Sequence, residues 1–310
     1  SAADKVYNRS DVAALTGTPV IASGLLGSDS AALSGTATAG TFASLNVGNG
    51  IAVTPTLTNL SLANTNYYIA GIDTTLTASI SPAPVTVSGL SVANKVYDAT
   101  NVATVSGTPT AYGVLSGDSV TVSGAVSAGF VSANVGSGIA VTANLVGLTL
   151  SNTNYQITGM TASLAADISA APLTVTADNK SMVYGSTTPA LTYAYSGLVG
   201  GDTSASFNGA IATNATSTSS VGSAYTITRG TLASSGNYQI ATFNQASLTI
   251  AARPVTVTVG AGQSKVYGDA DPSAYSVTIQ TQGTDVGLLT GATLGGTLVR
   301  AAGENVGAYA

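Results

Sequence analysis

The chain has 310 residues, of which 36 are Gly and 9 are Pro; it has no Cys, His or Trp, and only 7% of its residues are charged. Without thiol or imidazole, zinc-finger, iron–sulfur, haem-histidine and blue-copper sites are excluded, as are Ser-His-Asp and Cys-His catalysis and any disulfide. Eight Lys+Arg against thirteen Asp+Glu give a formal charge of −5. The cations stand singly (Lys5, Arg9, Lys95, Lys180, Arg229, Arg253, Lys265, Arg300), so the clustered charge of a nucleic-acid surface is missing.

Read in chain order, the sequence repeats itself. Lys5-Val6-Tyr7-Asn8 opens the first unit, and a short helical turn is expected around Arg9–Ala14. Gly17-Thr18-Pro19, Val47-Gly48-Asn49-Gly50-Ile51-Ala52-Val53-Thr54 and Asn64-Thr65-Asn66-Tyr67 follow. A predicted strand over Thr75–Ile80 runs through Ser81-Pro82-Ala83-Pro84 into a second at Val85–Val87, and two prolines stiffen that joint. The second unit then repeats the first: Lys95-Val96-Tyr97-Asp98, Gly107-Thr108-Pro109, Val135-Gly136-Ser137-Gly138-Ile139-Ala140-Val141-Thr142 and Asn152-Thr153-Asn154-Tyr155. Alternation predicts strands at Val120–Val122, Ile139–Val141 and Leu148–Leu150. A third unit begins at Pro172-Leu173-Thr174-Val175, carries Val183-Tyr184-Gly185 and Asn237-Tyr238-Gln239-Ile240, and has predicted strands at Tyr225–Ile227 and Leu248–Ile250. A fourth begins at Pro254, with a strand over Val255–Val259, then Lys265-Val266-Tyr267-Gly268 and Val306-Gly307-Ala308-Tyr309.

The Pro-marked strands place module boundaries at 84, 172 and 254. The expected modules are 1–83, lacking its first strand; 84–171; 172–253; and 254–310, truncated at its C-terminal end. The expected fold class is all-β: a tandem array of small, mostly-β modules, either β-grasp-like or Ig-like sandwiches, in an elongated rod. Mean hydropathy is +0.37, but Gly, Ser, Thr or Asn interrupts each apolar run well before the ~18 residues of a spanning helix. No membrane insertion is expected of this segment.

Lys-Val-Tyr-Asp with a downstream Asn-Tyr-x-Ile and a Pro-x-Thr-Val boundary resembles the YDG-type repeats of bacterial exoproteins. Val-Tyr-Gly-x-x-x-Pro-x-Leu-Thr-Tyr, Val183 to Tyr193, resembles the related MBG, or YGX-type, repeats. Modules 1 and 2 are similar to the first and modules 3 and 4 to the second. Asn8 stands where Asp is usual, and Ala99 where the motif has Gly. The resemblance to large secreted adhesins, filamentous-haemagglutinin-like exoproteins among them, implies a stalk or adhesive array outside the cell. It implies no catalytic residues.

Several residues invite chemistry and have a plainer structural reading. Tyr7, Tyr97, Tyr184 and Tyr267, with Tyr67, Tyr155 and Tyr238, read as core plugs whose hydroxyls find backbone partners. Lys5, Lys95 and Lys265 are expected to lay their stems along a sheet edge with the ammonium in water. Asp29, Asp118, Asp202 and Asp285, each beside Gly or Ser or Thr, read as Asx-turn residues rather than a hydrolase's carboxylate pair. Asp269-Ala270-Asp271 is too sparse for calcium. Gly48-Asn49-Gly50 and Gly136-Ser137-Gly138 open no helix and cradle no phosphate. Lys180-Ser181 has no orienting partner, and the Thr-x-Thr alternation is ordinary strand composition.

The sequence thus predicts no catalytic, cofactor-binding or metal-binding residues and assigns no ligand residues. Its expected role is a non-enzymatic extracellular stalk or adhesin segment at a bacterial surface or in biofilm matrix. Homotypic association is one expected partnership, since low charge leaves little repulsion between neighbouring chains. The alternative is a carbohydrate-binding array on polysaccharide or another cell-surface ligand. That alternative requires two exposed aromatics on one face, with Tyr97, Tyr112 and Tyr155 as its best residues. A hydrolase would require two acids facing each other in a cleft.

Overall fold

A computed structural model describes residues 1–71 and 75–309. Every regular element among them is a β-strand. The chain divides into two compact units, one of Ser1–Lys95 with Thr100–Ile168, the other of Val96–Ala99 with Ser169–Ala310. The helical turn expected at Arg9–Ala14 does not form. Arg9 takes a left-handed φ of 60°, and Val12–Ala14 pairs as a strand with Ala39–Phe42.

In the first unit, repeat 1 builds a five-stranded sheet in the order Lys5–Val6, Leu76–Ser81, Gly48–Pro55, Ala39–Phe42, Val12–Ala14. Its first pair is parallel and the others antiparallel. Repeat 2 reproduces the register: Phe42 faces Val53 as Phe130 faces Val141, and Gly48 faces Ile80 as Gly136 faces Ile168. The same bulge interrupts both ladders, between Gly48 and Ile51 and between Gly136 and Ile139. The Gly-x-Gly motifs serve that bulge, because Gly50 and Gly138 sit at φ 60° and 61°, where a side chain is strained. A ribbon of Leu33–Gly35 with Leu60–Leu62 recurs as Val122–Gly124 with Leu148–Leu150.

The long strand Ala83–Val92 lies between Val105–Tyr112, antiparallel to it, and Tyr155–Met160, parallel to it. In the second unit Ala171–Ala177 lies in the same way between Tyr193–Ser196 and Tyr238–Asn244. A first strand flanked by its hairpin partner and, in parallel, by a late strand is the order of a grasp-like sheet. Here strands and ribbons stand where such a fold would place its helix. A second sheet in that unit orders Lys180–Val183, Ala246–Ala251, Ala224–Thr228 and Ala212–Thr213. Beyond Pro254 the described strands are Val257–Val259 and Val277–Ile279, paired antiparallel.

The Pro-marked joint near residue 83 does not interrupt the core. Only Pro82 separates Leu76–Ser81 from Ala83–Val92. Tyr7, Ala13, Phe42, Val53, Ala78, Ile80 and Ala83 of repeat 1 form one buried cluster with Val85 and Tyr155 of repeat 2. Each fully buried Val or Ile there contributes roughly 1.5–3 kcal/mol. The second unit is built on Val175, Ala177, Met182, Ile227, Leu232, Leu248 and Ile250.

Candidate functional site

The once-per-repeat tyrosines converge on the once-per-repeat aspartates. Tyr7 follows the edge strand Lys5–Val6, and its N–H donates to Ser81 O, extending the parallel ladder by one bond. Its hydroxyl donates to Asp118 Oδ2 at 3.0 Å, and Tyr155 donates to the same oxygen at 2.6 Å. The rings meet edge to face with centroids 5.6 Å apart. Leu115 N–H donates to the Tyr155 hydroxyl at 3.2 Å, and Arg9 Nε lies 2.9 Å from Asp118 Oδ1. Arg9 also donates to Ser116 O.

The second unit repeats the clasp. Tyr97 and Tyr238 donate to Asp202 Oδ2 at 3.0 and 2.7 Å, with ring centroids again 5.6 Å apart. Val199 N–H donates to the Tyr238 hydroxyl at 3.2 Å. In both clasps a tyrosine of one repeat is held by the Asp–Tyr pair of the next. The phenols are nearly closed off from water, with Tyr7 and Tyr97 each 7% exposed, Tyr155 4% and Tyr238 5%. Hydrogen bonds to an ionised carboxylate are the strong class, and one carboxylate oxygen has lone pairs for two donors.

Backbone geometry aims these groups. Asp118 and Asp202 sit in tight turns, their N–H groups bonded to Leu115 O and Val199 O. The turn expected from their sequence context is there, but the carboxylates hold phenols instead of capping it. Two residues after the tyrosine, Arg9 and Ala99 are left-handed at φ 60° and 63°; immediately after it, Gly185 and Gly268 are left-handed at 83° and 90°. The glycine of the third and fourth repeats therefore has a backbone reason, and Arg9 and Ala99 take a left-handed φ against the steric preference of side-chain-bearing residues. A second contact crosses the first joint. Asn154 is the buried polar residue there; its Oδ1 accepts from Val47 N–H and its Nδ2 donates to Asn46 Oδ1, both at 2.9 Å.

The lysines depart from expectation. The Lys5 ammonium donates to Ser10 O and, at 3.1 Å, to Val12 O, and lies 5.0 Å over the Phe42 ring. Lys95 donates to Thr100 O and Val102 O and lies 5.8 Å over Phe130. The ammonium groups pin the sharp turn after the tyrosine through backbone carbonyls. Burial lowers the Lys5 pKa accordingly.

In the fourth repeat the charges gather. Lys265 contacts Asp271 at 2.8 Å and Glu304 at 3.1 Å, and Arg300 contacts the same two at 2.8 and 2.9 Å. Lys265, Arg300 and Glu304 edge a cavity of about 590 Å³ that Tyr267, Tyr275 and Tyr309 also line. Hydrogen bonds from Lys265 and then Arg300 hold both carboxyls below their ordinary range. Glycoside hydrolysis needs one carboxylic acid kept protonated by a raised pKa, which this pair does not supply. No three Asp or Glu gather as a metal site among the described residues, and Asp271 is already bound to two cations. Of the three tyrosines named for sugar stacking, Tyr97 and Tyr155 are buried and Tyr112 is exposed.

The clasp gives unit 1 a defined pH window. The phenol bond from Tyr155, then those from Tyr7 and the Arg9 charge, lower the Asp118 pKa against an opposing desolvation. Burial first, then the Asp118 bond, raises Tyr7 and Tyr155 above the ordinary 10.0. A carboxylate with a depressed folded pKa stabilises above its unfolded value and loses that contribution as pH falls through the folded one. A phenol with a raised pKa stabilises below 10.0 and loses it as pH rises through the folded value. Urea midpoints are therefore expected to be level between about pH 5 and 9 and to fall on both sides. Asp118→Asn is expected to flatten the acid limb, and an unchanged acid limb would show that the clasp does not carry it.

Sequence reasoning found both halves of the clasp and missed their meeting. The available signal is spacing: Asp29 precedes Tyr67 by 38 residues, Asp118 precedes Tyr155 by 37, and Asp202 precedes Tyr238 by 36. Comparison with known families matches the YDG domain at residues 1–76 and 81–162. It matches the MBG domain (YGX type) at residues 173–249 and 255–310. No curated protein and no solved structure matches the chain.

Proposed function

The chain belongs to the YDG-domain family and continues in MBG domains of the YGX type, and on that premise we propose that it is a non-enzymatic stalk or adhesin segment outside the bacterial cell. The two families make it an adhesin-like, surface-associated repeat region. This reading divides the chain into modules 1–83, 84–171, 172–253 and 254–310. It assigns them to extending or displaying adhesive parts at a cell surface or in biofilm matrix.

The observation that supports it best is the repeated clasp. The residues that recur once per module, Tyr7, Tyr97, Asp118, Asp202, Tyr155 and Tyr238, are used to fasten one repeat to the next. An array that bears load at a surface needs each joint closed by packing and strong hydrogen bonds. A chain without disulfides has to supply them from side chains. Weak contacts along such an array would act by avidity.

The polysaccharide-binding alternative retains exposed Tyr68, Tyr112 and Tyr267. A glycan array probed with the full chain separates the two. The stalk reading expects no saturable retention on any glycan. Saturable binding that Tyr112→Ala or Tyr68→Ala reduces at least tenfold would replace it with the alternative.

A further inference from the structure

In the third repeat the chain enters and leaves along strands that run side by side in the same direction. Ala171–Ala177, at the entry, pairs in parallel with Tyr238–Asn244, in register from Ala171 opposite Tyr238 to Thr176 opposite Asn244. Both strands then cross to the second sheet, one through Asp178-Asn179 and the other through Gln245. There they pair in parallel again, from Lys180 opposite Leu248 to Val183 opposite Ala251, at the exit. Backbone bonds close the ladder at both ends: Ala171 N–H donates to Asn237 O at 2.9 Å and Tyr184 N–H to Ala251 O at 3.0 Å. Leu173, Val175, Leu248 and Ile250 are buried along it, and hydrogen bonds in such surroundings are electrostatically stronger than in water.

A side chain supplies a rung where the strands change sheets. Asn179 Oδ1 accepts from Ser247 N–H at 2.9 Å. Repeats 1 and 2 have the same rung: Asp4 Oδ1 accepts from Ser79 N–H at 2.6 Å and Asn94 Oδ1 from Asp167 N–H at 2.8 Å. Each acceptor stands just before the lysine of its repeat, as Asp4-Lys5, Asn94-Lys95 and Asn179-Lys180. The parallel pairing recurs with it, Lys5–Val6 beside Leu76–Ser81 in repeat 1 and Ala83–Val92 beside Tyr155–Met160 in repeat 2.

We infer that these repeats are tension clamps, in which a pull along the chain loads the parallel entry and exit strands in shear. In repeat 3 tension drags Ala171 backwards and Ala251 forwards. Because the two strands are parallel, the pulls act along the ladder in opposite senses and strain every rung at once. Separating neighbouring strand ends would instead break the rungs one after another. A single hydrogen bond holds little net of water, so resistance depends on rungs that share the load. Asn179 keeps the ladder continuous at the crossing, as Asn94 and Asp4 do in their repeats. The clamp rests on the stalk reading, since only a tethered chain carries tension, and it names the strands that resist it.

Single-molecule force spectroscopy of the full chain tests the clamp. The chain has no Cys, so a pair of introduced cysteines fixes where force acts. One variant carries Ser169→Cys, Gln239→Ser and Ala252→Cys and is pulled across entry and exit, in shear. The other carries Ser169→Cys, Gln239→Cys and Ala252→Ser. It is pulled at the neighbouring starts of Ala171–Ala177 and Tyr238–Asn244, which peels them apart. Both variants change the same three exposed residues, so a difference in force reports the direction of loading and not a loss of stability. Forced unfolding follows the unfolding rate. At one loading rate the sheared chain is expected to rupture at no less than about twice the force of the peeled one. Rupture should come in one step that lengthens the chain by about 270–300 Å less its folded span, at ~3.3–3.6 Å per residue released. Equal forces in the two directions, or a sheared repeat that yields in several small steps, would overturn the inference. Neither result bears on glycan retention, so the clamp and the stalk reading fail separately.

Discussion

Tyr7→Ala is expected to destabilise the first compact unit by about 3–5 kcal/mol, the usual cost of removing a large buried ring. The ring is packed with Phe42, Ile80, Val85 and Tyr155 in the cluster that crosses from repeat 1 to repeat 2. Its loss opens a cavity where the two repeats meet, so the joint weakens from both sides. Tyr7→Phe separates the ring from the hydroxyl. It keeps the packing and removes one bond to an ionised carboxylate, a change worth about 1.5–3 kcal/mol. Chemical denaturation of the full chain, followed by near-ultraviolet circular dichroism, reads both. The alanine variant should unfold well before the phenylalanine variant, and that before the wild type. Equal midpoints for Tyr7→Phe and wild type would mean that Asp118 holds only Tyr155.

Asp202→Ala is expected to cost the second unit about 2–6 kcal/mol, because two buried phenols lose their acceptor at once. Tyr97 and Tyr238 both donate to a single oxygen, Asp202 Oδ2. Tyr238 still receives the Val199 N–H, so its hydroxyl oxygen stays satisfied while its proton has no partner. Asp202→Asn keeps an oxygen at the site and should cost less than half as much. A double-mutant cycle of Asp202→Ala with Tyr97→Phe is expected to show a coupling of at least 1 kcal/mol. Additive effects would place the Tyr97 hydroxyl outside the clasp. Residues Val96–Ala99 pack within this unit, so their amide exchange should quicken in the Asp202→Ala variant.

Much of the fold was legible because a repeat writes its pattern more than once. Alternation marks Ile139–Val141, Leu148–Leu150, Tyr225–Ile227 and Leu248–Ile250, and each lies within a strand. Val120–Val122 and Val255–Val259 are only partly strand, since the regular pairing begins at Val122 and at Val257. Arg9–Ala14 went the other way. Its composition suits a helical turn, but Lys5 fixes the carbonyls of Ser10 and Val12, and Val12–Ala14 finds a sheet partner in Ala39–Phe42. A tertiary ladder outweighs weak local preference in so short a segment.

The sequence by itself determined the exclusions, the all-β class and the repeat of Lys-Val-Tyr, Gly-x-Gly, Asp and Asn-Tyr elements. Each depends on residue type and local periodicity, which a chain displays without folding. Only the tertiary structure decided what the recurring residues do. Tyr7 lies 111 residues from Asp118 and Tyr97 lies 105 from Asp202, distances over which no local preference acts. The first pair meets because Leu76–Ser81 and Ala83–Val92 continue one another with a shared core, and near each of the two tyrosines a left-handed residue turns the chain sharply. A buried phenol must then find an acceptor, and the carboxylate in the facing turn is the one within reach.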